Sequence, residues 1–234
     1  MKRYDIFLLD ADNTLFDFNM AESNALEIVF QHYGFSYNND ICLKYREINN
    51  PLWEEFAKGN ITKDEIQTLR FTTLFKEIGV KYNVKDFNNM YLIELGKGSF
   101  LIDGALEICK EISAYNKIYI VTNGIMITQK TRIEHSVLRH YISDFFVSET
   151  VGYQKPNPLY FDYVFLHIPQ IEKDKIILVG DSITADIAGG NNAGIDTCWF
   201  NNTGNINNTE IIPTYEIKKL NELKKFINKE KKME

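Results

Sequence analysis

The chain has 234 residues, of which 26 are Lys or Arg and 32 are Asp or Glu, giving a formal net charge of −6 at neutral pH. Hydrophobic residues make up 44% and charged residues 25%, an ordinary globular composition, and a chain of this length buries roughly 70% of its unfolded surface without disulfide or metal staples. The acidic balance disfavours a nucleic-acid polymer as partner, because a phosphate backbone wants a basic face; small anions remain open, held by a metal or by local cations. Cys42, Cys109 and Cys198 are odd in number, match no zinc or redox spacing and sit among apolar residues. They are expected to be buried free thiols in a reducing cytoplasm. The opening MKRYDIFLLDAD is not expected to be a secretory signal, since Asp5 breaks the apolar run and Asp10 and Asp12 end it. No run approaches the ~18 apolar residues of a membrane span, so no membrane partner is expected.

Five short apolar runs stand out along the chain: Ile6–Leu9, Ile118–Val121, Phe145–Val147, Ile176–Val179 and Thr197–Phe200. Their apolarity is continuous rather than alternating, which suits strands buried on both faces of a parallel sheet. Helical patterns at Ala105–Tyr115, Gln129–Leu138 and Leu159–His167 lie between them. Strands alternating with helices read as an open, Rossmann-like α/β/α arrangement of three layers.

The stretch 16–97 breaks that alternation and is too long for one crossover. Asp17 can cap a helix running to Tyr33, with Gly34 as its stop. A second helix is expected over Asp40–Lys58 and a fourth over Val84–Leu95. Between them, Thr62-Lys63-Asp64-Glu65 is a capping box that opens a third, ending near Ile78. This predicts an all-helical insert, residues 16–97, placed as a cap in a core made of 1–15 and 98–234. After the fifth run come a turn-rich loop, Asn201–Thr209, a short edge strand at Pro213–Ile217, and a Lys/Glu-rich helix expected over Lys218–Glu234 with a solvated charged face.

The chemistry lies at the ends of the strands. In an open parallel sheet, ligands bind beyond the strands' carboxyl ends. Asp10-Ala11-Asp12-Asn13-Thr14 follows the first strand directly. Such a pair can be a capped turn; as a functional pair, Asp10 would be a nucleophile and Asp12 an acid and then a base. Val121-Thr122-Asn123-Gly124 ends the second strand, where a hydroxyl and backbone N–H groups opening a helix can cradle an anion. Gln154-Lys155-Pro156 supplies a cation after the third strand, suited to stabilising charge on a transferring phosphoryl group. Gly180-Asp181-Ser182, with Asp186 beyond it, ends the fourth. Four carboxylates converging on one edge would repel strongly, and Mg²⁺ with its preference for oxygen ligands is the economical counter-ion.

That order of motifs resembles the haloacid dehalogenase-like hydrolase superfamily. The resemblance runs from Asp10 to Asp186, with the helical stretch in the position of the family's first type of cap. It implies Asp10 as the phosphoryl acceptor and Asp12 as the acid/base. It implies Thr122 and Asn123, the latter through its backbone, as phosphate binders, and Lys155 as the cation steadying Asp10 and the phosphoryl group. The metal set it implies is Asp10, the backbone carbonyl of Asp12, and Asp181, with Asp186 supporting the ion or its waters. The family's usual Gly after the second Asp is Asn13 here, expected to shift the turn slightly. Members that dehalogenate generally lack the second Asp, so Asp12 favours phosphoryl transfer.

The segments DADNTLFDF, IVTNG, VGYQKPNPLYFDY, VGDSITADIAGGNNAGIDTCWFN and TYEIKKL look like the pyrimidine 5′-nucleotidase branch. The expected activity is therefore Mg²⁺-dependent hydrolysis of a small phosphorylated metabolite, a nucleoside monophosphate. A sugar-phosphate phosphatase or phosphomutase with the same core is the alternative; a 2-haloacid dehalogenase and a non-catalytic phosphate-binding protein stand further off. Phe16, Phe18, Tyr45, Trp53 and Arg70, all in the insert, are candidates for touching the base or sugar.

Overall fold

Every apolar run named above is a strand in the computed structural model, which describes residues 2–170 and 172–230. The strands are β1 (Ile6–Leu9), β2 (Lys117–Thr122), β3 (Asp144–Val147), β4 (Ile176–Gly180), β5 (Asp196–Phe200) and β6 (Tyr215–Ile217). All pair in parallel, in the order β3-β2-β1-β4-β5-β6. This is the doubly wound order, in which the winding reverses beside β1 and leaves a crevice beyond its carboxyl end. The helices are α1 (Phe18–His32), α2 (Asn39–Ala57), α3 (Lys63–Ile78), α4 (Val84–Lys97), α5 (Ala105–Ser113), α6 (Met126–His135), α7 (Ser148–Val151), α8 (Pro158–His167) and α9 (Ala188–Ala193).

The two-residue period of the strands makes the layers. Phe7, Leu9, Ile118, Ile120, Ile177 and Val179 face one side and pack on Ile108 and Ile112 of α5. Ile6, Leu8, Tyr119, Val121 and Leu178 face the other and pack on Tyr160, Phe161 and Val164 of α8. Burying each such side chain contributes about 1.5–3 kcal/mol, and because both faces are covered the runs carry no polar alternation.

Helices α1–α4 follow β1 and make a separate apolar cluster, with Leu26, Val29, Phe30, Phe71, Phe75, Phe87 and Tyr91 among its buried members. Their ends are set locally. Asp17 accepts the N–H of Met20, Asn38 that of Ile41, and Thr62 with Glu65 forms the reciprocal capping box. Return to the sheet is tight at Gly98, where a Cβ would stand 2.8 Å from the Cβ of Ala21.

The tail corrects the sequence reading. Instead of a long helix there is one 3₁₀ stretch, Leu220–Phe226, and residues 231–234 lie outside the described residues. Leu220, Leu223, Phe226 and Ile227 are buried in the cluster beside α5, and Tyr4 donates its backbone N–H to Phe226 at 2.9 Å. Apolar residues three apart suit the three-residue turn of a 3₁₀ helix, and this packing outweighs the α-helix propensity of the intervening Glu222, Lys224 and Lys225. Among the described residues, no helix is long and apolar enough to cross a membrane.

Candidate active site

Asp10 continues β1, donating its N–H to Val179 O at 2.9 Å, and the chain then turns sharply, with the N–H of Asn13 on Phe16 O at 2.7 Å. Asn13 has φ 58°. This is the left-handed region, which Asn tolerates better than most side chains, so the turn closes without glycine.

Lys155, 2% exposed, is the hub of the floor. Its Nζ donates to Asp10 Oδ1 at 2.7 Å, to Asp186 Oδ1 at 2.6 Å and to Val121 O at 2.7 Å. Burial by itself would lower the ammonium's pKa; Asp10 and Asp186 more than offset that and raise it. Its backbone is gripped by Asn123, whose Nδ2 donates to Lys155 O at 2.8 Å while Oδ1 accepts the Lys155 N–H at 2.9 Å. The Asn123 side chain is thus occupied by the Lys155 backbone. Thr122 is buried at the end of β2, and its Oγ1 accepts the N–H of Gly124 at 3.0 Å.

Carboxylate oxygens of Asp10, Asp181 and Asp186 lie within 4.8 Å of one another. Gly180 permits this: a Cβ there would stand 2.2 Å from Asp186 Oδ2. That oxygen accepts the Ser182 N–H at 3.1 Å, and Trp199 Nε1 donates to Asp181 O at 2.9 Å. Burial holds the carboxyls of Asp10 and Asp181 well above the usual carboxylate range. Asp186 adds to the rise in both, and Lys155 opposes it without cancelling it. Three hard oxygen donors with one shared cation between them are under-neutralised, and a divalent ion with oxygen ligands fits that donor set.

The carboxylate of Asp12 has partners of its own. Arg132 Nη1 donates to its Oδ1 and Gln129 Nε2 to its Oδ2. Both partners come from α6 and are buried, Arg132 at 0% exposure. Arg132 also reaches Leu95 O near the end of α4 at 3.2 Å and lies over the ring of Phe16. Sequence reasoning missed both residues. The available signal was a pair of polar side chains one helical turn apart, just inside the helix that follows Asn123 and Gly124.

Above the floor is a cavity of about 690 Å³. Its floor carries Asp10, Asp12, Thr122, Asn123, Lys155, Asp181 and Asp186, so every site residue expected from the sequence reaches one chamber. The roof is formed by Phe18 and Glu22 of α1, Asn49 and Trp53 of α2, and Arg70 of α3. Of the five insert candidates, Phe18, Trp53 and Arg70 line the cavity. Phe16 and Tyr45 are fully buried in the two apolar cores instead. Contacts that join roof to floor include Lys63 Nζ, which donates to Gly124 O at 2.7 Å and to Ser148 Oγ at 2.8 Å, and Gln154 Nε2, which donates to Phe56 O at 2.7 Å.

A doubly wound sheet with Asp, Thr, Lys and Asp groups on successive strand ends is the arrangement of one hydrolase family. The chain belongs to the haloacid dehalogenase-like hydrolases, whose family model matches residues 7–200. Among its relatives is the HAD-hydrolase YfnB of Bacillus subtilis, 44% identical over 97% of each chain. The crystal structure of YfnB bound to magnesium superposes with a TM-score of 0.92, covering 97% of this chain and 100% of that one. The pyrimidine 5′-nucleotidase PynA of Streptococcus pneumoniae is 34% identical over 92% of this chain and 91% of its own. The pyrimidine 5′-nucleotidase YjjG of Escherichia coli is 31% identical over 97% and 99%.

Proposed function

We propose that this chain is a Mg²⁺-dependent phosphomonoesterase that forms an aspartyl-phosphate on Asp10, and that its substrates are pyrimidine nucleoside 5′-monophosphates. The observation that carries the reading is the Lys155 bridge between Asp10 and Asp186 at the bottom of a cavity that also holds Asp12. Two relatives that match nearly the whole chain are pyrimidine 5′-nucleotidases, which supports the substrate class. Three buried, unpaired cysteines suit a cytoplasmic setting.

In this reading Asp10 Oδ2, which has no hydrogen bond among the described residues, attacks phosphorus and the bond to the ester oxygen breaks. The leaving oxygen takes a proton from Asp12. A water then gives its proton to Asp12 and attacks phosphorus; the Asp10 oxygen–phosphorus bond breaks and inorganic phosphate leaves. Lys155 and the Thr122 hydroxyl hold the equatorial oxygens, with the Asn123 backbone beside them. Mg²⁺ would be held by Asp10, Asp181 and the Asp12 carbonyl, with Asp186 in support, and would supply positive charge against the phosphoryl oxygens. Residues 16–97 act as a cap on the core of 1–15 and 98–234, excluding bulk water and contacting the part of the substrate beyond the phosphate.

The test is phosphate release with Mg²⁺ from a panel of nucleoside monophosphates and sugar phosphates, with Asp10→Asn alongside. Pyrimidine monophosphates should be preferred, and both Asp10→Asn and chelation should abolish turnover while circular dichroism stays native. Wild-type turnover in Asp10→Asn would end the mechanism; preference for sugar phosphates would end the substrate assignment.

A further inference from the structure

The roof of the cavity contains buried polar groups within an otherwise apolar helical cluster. Arg70 is 2% exposed, Glu22 1% and Asn49 1%. Arg70 is held in place from behind: Nε and Nη2 donate to Asn88 Oδ1 at 3.1 and 2.5 Å, and Asn88 donates in turn to Gln67 at 3.1 Å. Its guanidinium sits over the rings of Tyr91 and Phe71, 4.8 and 5.2 Å from their centroids. Among the described residues Nη1 makes no hydrogen bond. Glu22 is anchored through one oxygen, which accepts from Arg46 Nε at 2.6 Å; its other oxygen is buried and unpartnered. Asn49 Oδ1 is buried and unpartnered as well.

Buried polar atoms in folded proteins nearly always have partners, and a group left without one calls for a specific explanation. Here three side chains that line one cavity each keep capacity in reserve. Their chemistry is selective. A guanidinium only donates and so takes a carbonyl oxygen; a carboxamide presents a donor and an acceptor and can face either way. Phe18 and Trp53 line the same roof and offer ring faces against which a flat heterocycle can stack.

We propose that Arg70 and Asn49 read the hydrogen-bonding edge of a pyrimidine base, with Glu22 beside them and Phe18 and Trp53 against the ring. Arg70 takes a ring carbonyl, the group that uracil, thymine and cytosine share at position 2. Asn49 takes the adjoining ring nitrogen and position 4, where its two-sided amide accommodates either the imide pattern or the amino pattern. Adenine has no ring carbonyl for the guanidinium. The inference rests on the nucleotidase reading and names the residues that would make it selective.

The experiment compares kcat/KM for uridine, cytidine and adenosine 5′-monophosphates, ribose 5-phosphate and p-nitrophenyl phosphate, in wild type and in Asn49→Leu and Arg70→Lys. The readout is the ratio of uridine monophosphate to p-nitrophenyl phosphate, which cancels any general loss of folded enzyme. It should fall at least about tenfold in each variant, chiefly through KM for the nucleotide. A ratio within about twofold of wild type in Asn49→Leu, in an enzyme that does prefer pyrimidine nucleotides, overturns this inference and leaves the nucleotidase reading standing. A wild type that prefers ribose 5-phosphate overturns the nucleotidase reading, and the base subsite with it.

Discussion

Asn123 and Lys155 hold each other across the cavity floor through two hydrogen bonds of 2.8 and 2.9 Å, each joining the Asn123 amide to the Lys155 backbone. The pair ties the end of β2 to the loop between α7 and α8 and sets where the ammonium stands between Asp10 and Asp186. Asn123→Ala should cost about 1–3 kcal/mol of stability and lower kcat by about 100-fold through a displaced Lys155. Asn123→Asp retains the acceptor for the Lys155 N–H and should recover part of both. Unchanged kcat in the alanine variant, measured at saturating substrate, would show that Lys155 is positioned by other contacts.

Arg132 and Asp12 form a pair in which the cation is fully buried and the carboxylate partly exposed. Removing one member of such a pair strands the other. Arg132→Met should therefore destabilise by about 3 kcal/mol in urea unfolding. Combined with Asp12→Asn it should cost less than the two single changes summed, with a coupling of about 1 kcal/mol or more. Strict additivity would mean that the contact carries no net energy.

The clustered carboxylates of Asp10, Asp181 and Asp186 repel one another, so adding Mg²⁺ should raise the melting temperature. At a hundredfold excess over its Kd the gain is about 2.7 kcal/mol. Asp181→Asn should raise the stability of the metal-free protein and shrink the Mg²⁺ shift. An equal shift in wild type and Asp181→Asn, followed by scanning fluorimetry, would place the ion elsewhere.

Burial pushes the thiols of Cys109 and Cys198 from 9.0 up to about 12. A raised folded-state value means that the unfolded chain holds fewer protons in between. The contribution of the neutral thiols is complete below about pH 9 and is lost as pH rises towards 12. Unfolding free energy should accordingly decline from about pH 9 to 10.5, less steeply in a Cys109→Ala/Cys198→Ala variant. Both thiols should be silent to a disulfide reagent at neutral pH until denaturant is added, and prompt labelling of the native protein would contradict their burial.

Much of the fold was legible because its signals are local. Ile6–Leu9 and Ile176–Val179 read as strands from continuous apolarity, since both faces of each are covered. The capping box at Thr62 and Glu65 opens its helix where the four-residue pattern puts it. The tail was misread because the burial of Leu220, Leu223 and Phe226 depends on a distant sheet face, while the charges between them dominate the local pattern.

The amino-acid sequence by itself determined the parallel sheet, the helical stretch after β1, and the set of Asp, Thr and Lys groups at the strand ends. Each of these follows from residues close together in the chain. Which cation meets which carboxylate was decided only by the tertiary structure. Lys155 lies 145 residues from Asp10, and Arg132 lies 120 from Asp12. Two acids one residue apart thereby receive different partners: Asp10 shares an ammonium with Asp186, and Asp12 takes a guanidinium and an amide from α6. Strand alternation would put residues two apart on one face, but β1 ends at Leu9 and the chain turns over Ala11–Phe16, so that register no longer governs Asp12. What each acid meets depends on how the loops and helices pack, and no local pattern in the sequence encodes it.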